Sequence, residues 1–433
     1  MKTLTSLLII SMAALLPARE LMPRPEGGEF RLYEALKPVE KPGLYLRTGD
    51  RLAICGDSIT EQKMYSRLIE TYLTACVPEL NITCRQFGWS GERAGGFAAR
   101  MEEDVLIFKP TIATTCYGMN DHRYVPYTEE IGQEYLENQK EIIGRFRTDG
   151  VRVIVGSPGT IGKMPSWVKN ATGTVEDLNL SLLRLRNHNV ALAEEMEVRF
   201  ADVFWPMLTA GIQARQQYGE GFMIPGQDGV HPGWAGQTVM AYAFLVAMGL
   251  EGSVGTLTMN AADGSALGSV GHAIMEAEGG RMKLKSTRYP FCVPDGDPSK
   301  DDSIQAAMGL IPFHQKLNRF MLYVTGGTAA KYEVRWGETA KTFDRAALES
   351  GVNLAAEFQK NPFSGPFENV SKAVFAKQDY ETRQIKTLFH GPEAQADKAM
   401  TVTLTEKTRA PLAAAVINAV VPVEHVIEVN PLP

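Results

Sequence analysis

Apolar strand-like runs alternate with amphipathic helical patterns from Arg51 to about Leu250, and this alternation constrains the fold more than any other feature. The predicted strands cover residues 51–55, 82–87, 111–117, 151–156 and 198–204. The first and third are rich in Ile, Ala and Thr with little alternation, which is typical of strands covered on both faces. The predicted fold is therefore α/β, with a five-stranded parallel sheet between layers of helices.

The segments between these strands show the spacing of helices. Three long helices are predicted at residues 129–146, 177–196 and 233–250. Two shorter helices are indicated by apolar residues four positions apart, which share one helix face. These two sets are Met64, Leu68 and Tyr72, and then Phe97, Met101 and Val105.

After Leu250 the sequence changes to shorter strand-like runs separated by turns. Strands are predicted at 254–259, 282–286, 320–324 and 331–336, a helix at 372–388, and an apolar Ala-rich stretch at 413–420. The predicted organisation is a main α/β domain at 51–252 and a smaller β-rich accessory region, with helices that return to the main domain, at 253–433.

The amino-terminal segment differs from the rest of the chain. Lys2 precedes an apolar, charge-free stretch, and the small residue Ala18 stands before Arg19. This pattern predicts a signal peptide at 1–18, cleaved after Ala18, with an uncleaved anchor as the alternative. The mature chain is then secreted or periplasmic, with no stable membrane insertion. Residues 19–50, rich in Pro and Gly, are expected to form an extended lead-in that wraps the main domain.

Composition excludes several classes of function. The net charge is −6 and no basic run occurs, so a nucleic-acid partner has no electrostatic support. The chain has five cysteines, an odd number, of which Cys55 and Cys116 are expected to be buried thiols. Pairing of Cys76 with Cys84 stays open. No cysteine or histidine spacing indicates a metal site, and no cofactor is expected.

The strongest motif for chemistry is the run GDSIT from Gly56 to Thr60, directly between the first strand and the first helix. Ser58 would then lie at the carboxyl end of a parallel strand, where open α/β sheets bind ligands. The helix amino terminus also favours developing negative charge. Taken alone, such a motif is more often a plain turn with a helix cap.

Three further motifs follow in order along the chain. Ser90 and Gly91 come after the second strand, the run GMND from Gly118 to Asp121 follows the third, and the run DGVH ends at His231 before the last helix. An Asp and a His three positions apart in a tight loop can face the same way, so that the carboxylate fixes the imidazole. Their joint occurrence favours a catalytic interpretation over separate turns and caps.

These four motifs resemble the SGNH hydrolases, also called the GDSL esterase family. Gly56–Ser58 is similar to the family's first block, Gly91 to its second, GMND to its third and DGVH to its fifth, over about residues 51–250. The second block departs most, because Phe87 stands where an asparagine is often expected. The resemblance implies a flavodoxin-like three-layer sandwich.

The resemblance also implies roles for individual residues. The catalytic triad would be Ser58, His231 and Asp228, with Ser90 as the alternative nucleophile. The oxyanion hole would combine the backbone N–H groups of Ser58 and Gly91 with the Asn120 side-chain amide. The implied activity is that of a serine hydrolase acting on carboxylic esters.

The expected substrate is an acylated carbohydrate from which the enzyme removes O-acetyl groups, an activity that the resemblance implies for exported members. Candidate substrate-binding residues flank the catalytic motifs: Trp89, Arg93, Arg123 and Trp234. Each is equally compatible with packing or a surface ion pair. The alternatives are a lipase or lysophospholipase-like esterase for longer acyl chains, and a carbohydrate-binding protein with a vestigial hydrolase domain.

Overall fold

A computed structural model describes residues 19–433 of the chain, so the predicted signal peptide at 1–18 lies outside the described residues. The first sheet has five strands, all parallel, in the order β2-β1-β3-β4-β5. Its strands are β1 Arg51–Gly56, β2 Thr83–Gln86, β3 Ile112–Cys116, β4 Arg152–Gly156 and β5 Arg199–Ala201. The prediction of a five-stranded parallel sheet is confirmed.

Helices cover both faces of this sheet. They are α1 Ser58–Glu61, α2 Tyr65–Ala75, α3 Ala94–Asp104, α4 Glu129–Thr148, α5 Val175–Glu195, α6 Phe204–Tyr218 and α7 Trp234–Ala247. Along β1, Leu52 and Ile54 belong to one buried core and Ala53 to the other, because successive strand residues point to opposite faces. This three-layer arrangement confirms the predicted sandwich. No helix within 19–433 is long and apolar enough to cross a membrane.

The last strand is shorter than predicted. The expected strand at 198–204 ends at Ala201, and α6, which the sequence pattern did not predict, begins at Phe204. Ser157 Oγ accepts the backbone N–H groups of Val203 and Phe204, at 3.0 and 2.9 Å, and satisfies the donors of the new helix start. Pro206 and Gly211 inside α6 lower its helix propensity and obscure its pattern.

Residues 19–50 cross the main domain with little regular structure, apart from a 3₁₀ turn at Gly28–Phe30. The Phe30 ring packs on Trp205, with centroids 6.2 Å apart, and Tyr33 packs on Phe204 at 6.4 Å. The Leu36 carbonyl accepts a hydrogen bond from Arg186 at 2.6 Å. These contacts hold the segment against α5 and α6.

The carboxyl-terminal part contains two further sheets, which confirms the predicted β-rich accessory region. A four-stranded sheet has the order β13-β10-β6-β7 and a five-stranded sheet the order β12-β11-β14-β9-β8. The strands are β6 Ser253–Asn260, β7 Ala266–Gly268, β8 His272–Glu278, β9 Arg281–Ser286, β10 Arg319–Thr325, β11 Lys331–Trp336, β12 Thr339–Asp344, β13 Val352–Asn353 and β14 Val423–Leu432. The division at residue 252 stays a prediction.

Seven more helices complete this part: α8 Ile304–Leu310, α9 Phe313–Leu317, α10 Arg345–Ser350, α11 Leu354–Glu357, α12 Ser364–Arg383, α13 Pro392–Ala396 and α14 Lys398–Asn418. A π-helical turn, Gln384–Leu388, extends α12. The helix predicted at 372–388 is therefore the second half of α12 with this turn. The Ala-rich stretch predicted at 413–420 is the end of α14.

All five cysteines are buried free thiols in the structure. Cys76 and Cys84, whose pairing the sequence left open, form no disulfide. Cys55 and Cys116 lie on the central strands β1 and β3, as small apolar side chains do.

A directional chain of hydrogen bonds crosses the core of the accessory region. Trp336 Nε1 only donates, so its 3.1 Å contact makes His425 Nδ1 an acceptor and leaves the proton of a neutral ring on Nε2. His425 Nε2 then donates to Ser286 Oγ at 2.9 Å, and Ser286 Oγ donates to His272 Nδ1 at 2.9 Å. The order holds only while both imidazoles are neutral.

We expect the hydrogen bonds through His425 to make the fold less stable in acid. Burial lowers the pKa of His425 from the usual 6.5 to about 3, so the unfolded chain takes up this proton first as the pH falls. The free energy of unfolding therefore falls between about pH 6.5 and pH 3. In urea titrations, the difference in free energy of unfolding between wild type and His425→Gln should become smaller as the pH falls. A gap of equal size at pH 7.5 and pH 4.5 would contradict this.

Candidate active site

Ser58 is the first residue of α1, at the carboxyl end of β1. Asp57 caps the helix, and its Oδ1 accepts the backbone N–H of Ile59 at 3.0 Å. The turn requires glycine at position 56, because a Cβ there would lie 2.1 Å from Thr60 Oγ1. The serine side chain is half-buried and faces an open cleft.

The three predicted triad residues come together in the structure. Ser58 Oγ lies 2.8 Å from His231 Nε2, and His231 Nδ1 lies 2.7 Å from Asp228 Oδ2. The second carboxylate oxygen of Asp228 accepts the backbone N–H groups of Val230 and His231, each at 2.8 Å. The carboxylate thus holds both the loop and the ring.

The charged form of Asp228 is favoured by these contacts. Burial raises the pKa of its carboxyl, but the hydrogen bonds from the backbone of His231 and Val230 and from the His231 ring outweigh this and hold the pKa below its usual value. The site therefore supplies a carboxylate to one side of the imidazole. The other ring nitrogen contacts a hydroxyl, an arrangement suited to proton transfer from serine.

Asn120 lies in the loop after β3. Its Nδ2 donates to the Glu92 carbonyl at 3.0 Å, which uses one of its two N–H donors, and its Oδ1 accepts from Tyr124 at 3.3 Å. Asp121 next to it accepts N–H groups from Gly118 and from the start of α3, each at 2.9 Å. These bonds tie the loop that carries Asn120 to the loop that carries Gly91.

Gly91 is exposed and has φ +76°, a conformation that favours glycine. Among residues 19–433, the backbone N–H groups of Ser58 and Gly91 have no hydrogen-bond partner. Two backbone donors and one amide N–H are thus available near the serine loop.

Buried carboxyl groups lie behind the serine. Burial, with smaller contributions from the nearby Asp121 and Glu92 carboxyl groups, raises the pKa of Asp57 to about 7. Burial likewise raises the pKa of Asp121 to about 6, although hydrogen bonds from backbone N–H groups lower it in part. These groups fix loops rather than face the cleft, because their oxygens are engaged with backbone N–H groups.

The catalytic cleft is open and has a volume of about 280 Å³. Its lining is polar and consists of Ser58, Glu61, Gln62, Ser90, Asp228 and His231. Trp167, in the loop between β4 and α5, stacks on the His231 ring with centroids 5.7 Å apart and an interplanar angle of 29°. Its side chain is 47% exposed. The sequence offered no signal for Trp167, which is far from every motif.

None of the four candidate substrate-binding residues lines this cleft. Trp89 is half-buried, edge-on to His390 at 5.2 Å. Arg123 forms an ion pair with Glu134, while Arg93 is exposed. Trp234 lines a separate cleft.

No group of side chains within the described part of the chain could hold a metal ion.

Comparisons with known proteins agree with this architecture. Residues 54–239 match the model of the GDSL-like lipase/acylhydrolase family. An acetylxylan esterase from Geobacillus stearothermophilus is 23% identical over 227 residues, which are 47% of this chain and 96% of the relative.

Among solved structures, a gut microbial diltiazem-metabolizing enzyme aligns with a TM-score of 0.72 at 21% identity, covering 90% of this chain and 100% of that one. That likeness shows that a fold covering 90% of this chain occurs in another protein. The structure of the Geobacillus stearothermophilus acetylxylan esterase aligns over 48% of this chain and 98% of its own, with a TM-score of 0.39 and 23% identity. The comparisons therefore identify residues 54–239 as similar to the GDSL-like lipase/acylhydrolase family and support a carboxylic ester hydrolase.

Proposed function

We propose that this protein is a serine esterase in which Ser58 is the nucleophile, His231 the general base and Asp228 the residue that orients the imidazole. The hydrogen-bond chain from Asp228 through His231 to Ser58 carries this proposal, with contacts of 2.7 and 2.8 Å. Ser90, the alternative nucleophile, is disfavoured because its backbone N–H bonds Glu61 and no histidine contacts its hydroxyl among residues 19–433.

The reaction proceeds in two halves. His231 Nε2 takes the Ser58 proton as Oγ attacks the ester carbonyl, and it then gives that proton to the leaving alcohol. Water, deprotonated by the same ring, releases the acid from the acyl-enzyme and restores the serine. Asp228 stays ionised throughout and stabilises the imidazolium.

The negatively charged oxygen of the tetrahedral intermediate must be stabilised by hydrogen-bond donors. The backbone N–H groups of Ser58 and Gly91 and the second N–H of Asn120 Nδ2 supply them in this proposal. The amino terminus of α1 adds a favourable dipole, because Ser58 is its first residue.

We expect Asn120→Ala to lower kcat about a hundredfold or more, since one oxyanion donor is lost. The measurement is p-nitrophenyl acetate hydrolysis. Tyr124→Phe, which removes only the hydroxyl that holds Asn120 Oδ1, serves as the control and should cost far less. Equal activity of Asn120→Ala and wild type would remove Asn120 from the oxyanion hole.

The proposed substrate is an O-acetylated carbohydrate. A small polar cleft of about 280 Å³ suits a short acyl group on a polar alcohol better than a long acyl chain. The half-exposed Trp167 offers an aromatic face beside His231, and the relative from Geobacillus stearothermophilus is an acetylxylan esterase.

Acetate release from acetylated xylan tests this substrate class. Trp167→Ala should reduce kcat/KM on the polymer about tenfold while sparing p-nitrophenyl acetate, because only the polymer reaches over the indole. Trp205→Phe, at a buried position away from the cleft, is the matched aromatic control. Equal losses on both substrates would contradict a role in sugar binding.

We also propose that the chain is exported, on the strength of the leader pattern at 1–18. Amino-terminal sequencing of the protein secreted from cells expressing the full chain should begin at Arg19. A sequence beginning at Met1 would contradict cleavage.

A further inference from the structure

A second cleft, of about 920 Å³, opens beside the catalytic loop. Trp234, which follows His231 closely in the chain, and Asp301 both line this second cleft. The Asp301 carboxylate accepts a hydrogen bond from Gln227, the neighbour of Asp228. The segment from Asp228 to Trp234 thus contributes lining residues to both clefts.

Arg67, on α2, carries an unpaired charge in this cleft. Its guanidinium carbon lies 4.6 Å from the centroid of the Trp234 ring and 5.3 Å from that of Phe375. Within residues 19–433 no carboxylate or carbonyl contacts it, and its Nε is buried without a hydrogen-bond partner. Burial alone lowers the pKa of Arg67, so no charged side chain compensates it.

Most acidic groups of the same cleft are already engaged. Asp297 accepts from Ser299, and Glu368 pairs with Lys372 at 2.6 Å. The lining also carries the charged residues Asp295, Asp301, Asp302, Lys300 and Lys360, and none of them contributes to the pKa of Arg67. Among the described lining residues, Arg67 thus has a buried Nε without a hydrogen-bond partner and a guanidinium that lies near two aromatic rings.

We propose that this cleft is a subsite for a carboxylate-bearing sugar. The sugar would be a uronic acid unit of the same polysaccharide whose acetyl group reaches Ser58. A planar guanidinium binds a carboxylate through two parallel hydrogen bonds, and the rings of Trp234 and Phe375 hold its plane. The inference rests on the proposed function, and it identifies the substrate as an acidic polysaccharide rather than a neutral one.

Binding to Ser58→Ala protein tests this without hydrolysis. By calorimetry, trigalacturonate should bind about tenfold more tightly than neutral galactotriose, and Arg67→Gln should abolish that preference while Arg67→Lys keeps part of it. Arg184→Gln is the matched control, because Arg184 also lies over an aromatic ring, Tyr127 at 6.0 Å, and forms no ion pair with the residues of 19–433.

Equal affinity for the acidic and neutral trisaccharides, or a preference that survives Arg67→Gln, would overturn the subsite. Either result leaves the esterase proposal standing if wild type still hydrolyses p-nitrophenyl acetate through Ser58. Loss of that hydrolysis in wild type would instead refute the esterase.

The geometry assigns a second, independent role to the π-helical turn after α12. Lys386 in this turn contacts both carboxylate oxygens of Glu61, at 2.8 and 2.9 Å. Glu61 in turn accepts the backbone N–H of Ser90, and the Lys386 ammonium lies 5.5 Å from the Trp89 ring centroid. π-helical turns are frequent at functional sites.

Lys386 is therefore a positioning residue for the loop 88–91. Gly88 allows this loop to lie directly on α1, since a Cβ there would be 2.3 Å from the Glu61 nitrogen. The accessory region, through Lys386 and Glu61, sets the position of the Gly91 N–H relative to Ser58. This inference also rests on the proposed function.

Lys386→Met should lower kcat on p-nitrophenyl acetate about tenfold with little change in KM, because the oxyanion donor is displaced. Lys386→Arg should restore most of the loss. Lys398→Met is the control, since both lysines bind carboxylates and their side chains are 28% and 29% exposed.

Hydrogen exchange of the peptide over 87–93 gives a readout independent of turnover and should speed up in Lys386→Met alone. Equal kcat and exchange in the two methionine variants would overturn the role, whereas an inactive wild type would refute the esterase itself.

Discussion

Ser58→Ala should lower hydrolysis of p-nitrophenyl acetate by at least about 10⁴-fold with the fold intact, because the variant has no nucleophile. The side chain is half-buried and its hydroxyl contacts only His231 among the described residues, so little stability is lost. Asp228→Asn should cost less, about 10³- to 10⁴-fold, since serine and histidine remain.

Two further comparisons extend this experiment: a second serine variant, and esters of different acyl-chain length. Ser90→Ala is the matched control and should retain activity, because no histidine contacts the Ser90 hydroxyl among residues 19–433. Wild type should prefer acetate over octanoate esters. A preference for octanoate would favour a lipase, and full activity of Ser58→Ala would refute the assignment of the nucleophile.

Lys377→Met should lower the free energy of unfolding by about 3–5 kcal/mol, the usual cost of leaving buried charges without their partner. Lys377 is 2% exposed, and its Nζ contacts Glu70 and Glu381, each at 2.9 Å. It also donates to the Cys84 carbonyl on β2 at 2.6 Å. The lysine thus joins α12 of the accessory region to the edge of the catalytic sheet.

The matched control for this variant lies on the same helix. Lys372 is 70% exposed and pairs with Glu368 at 2.6 Å, so Lys372→Met should cost no more than about 0.5 kcal/mol. Both are compared by urea denaturation. Equal midpoints for the two variants would show that the buried cluster does not anchor the accessory region.

The central sheet was predictable because its strands are covered on both faces and read as apolar runs. The candidate catalytic residues could be located for a related reason, since Ser58 and Asn120 follow two such strands in the chain. The loop with Asp228 and His231 was found through its spacing of three. Local pattern therefore sufficed wherever a functional residue adjoins a buried strand or a tight loop.

The accessory region was less predictable because its elements lack a clear periodic pattern. In α14 the buried residues are Thr401, Thr405 and Val416, so the helix has no apolar stripe. Trp167, Arg67 and Lys386 could not be assigned from sequence, since the role proposed for each depends on contacts with residues distant in the chain.

Labelling with diisopropyl fluorophosphate, followed by peptide mass mapping, tests the nucleophile most directly. We predict one adduct per chain, on Ser58, and its near-complete loss in His231→Ala, because the reagent modifies a serine activated by a base. An adduct on Ser90, or labelling of Ser58 that is unaffected by His231→Ala, would contradict the proposed catalytic triad.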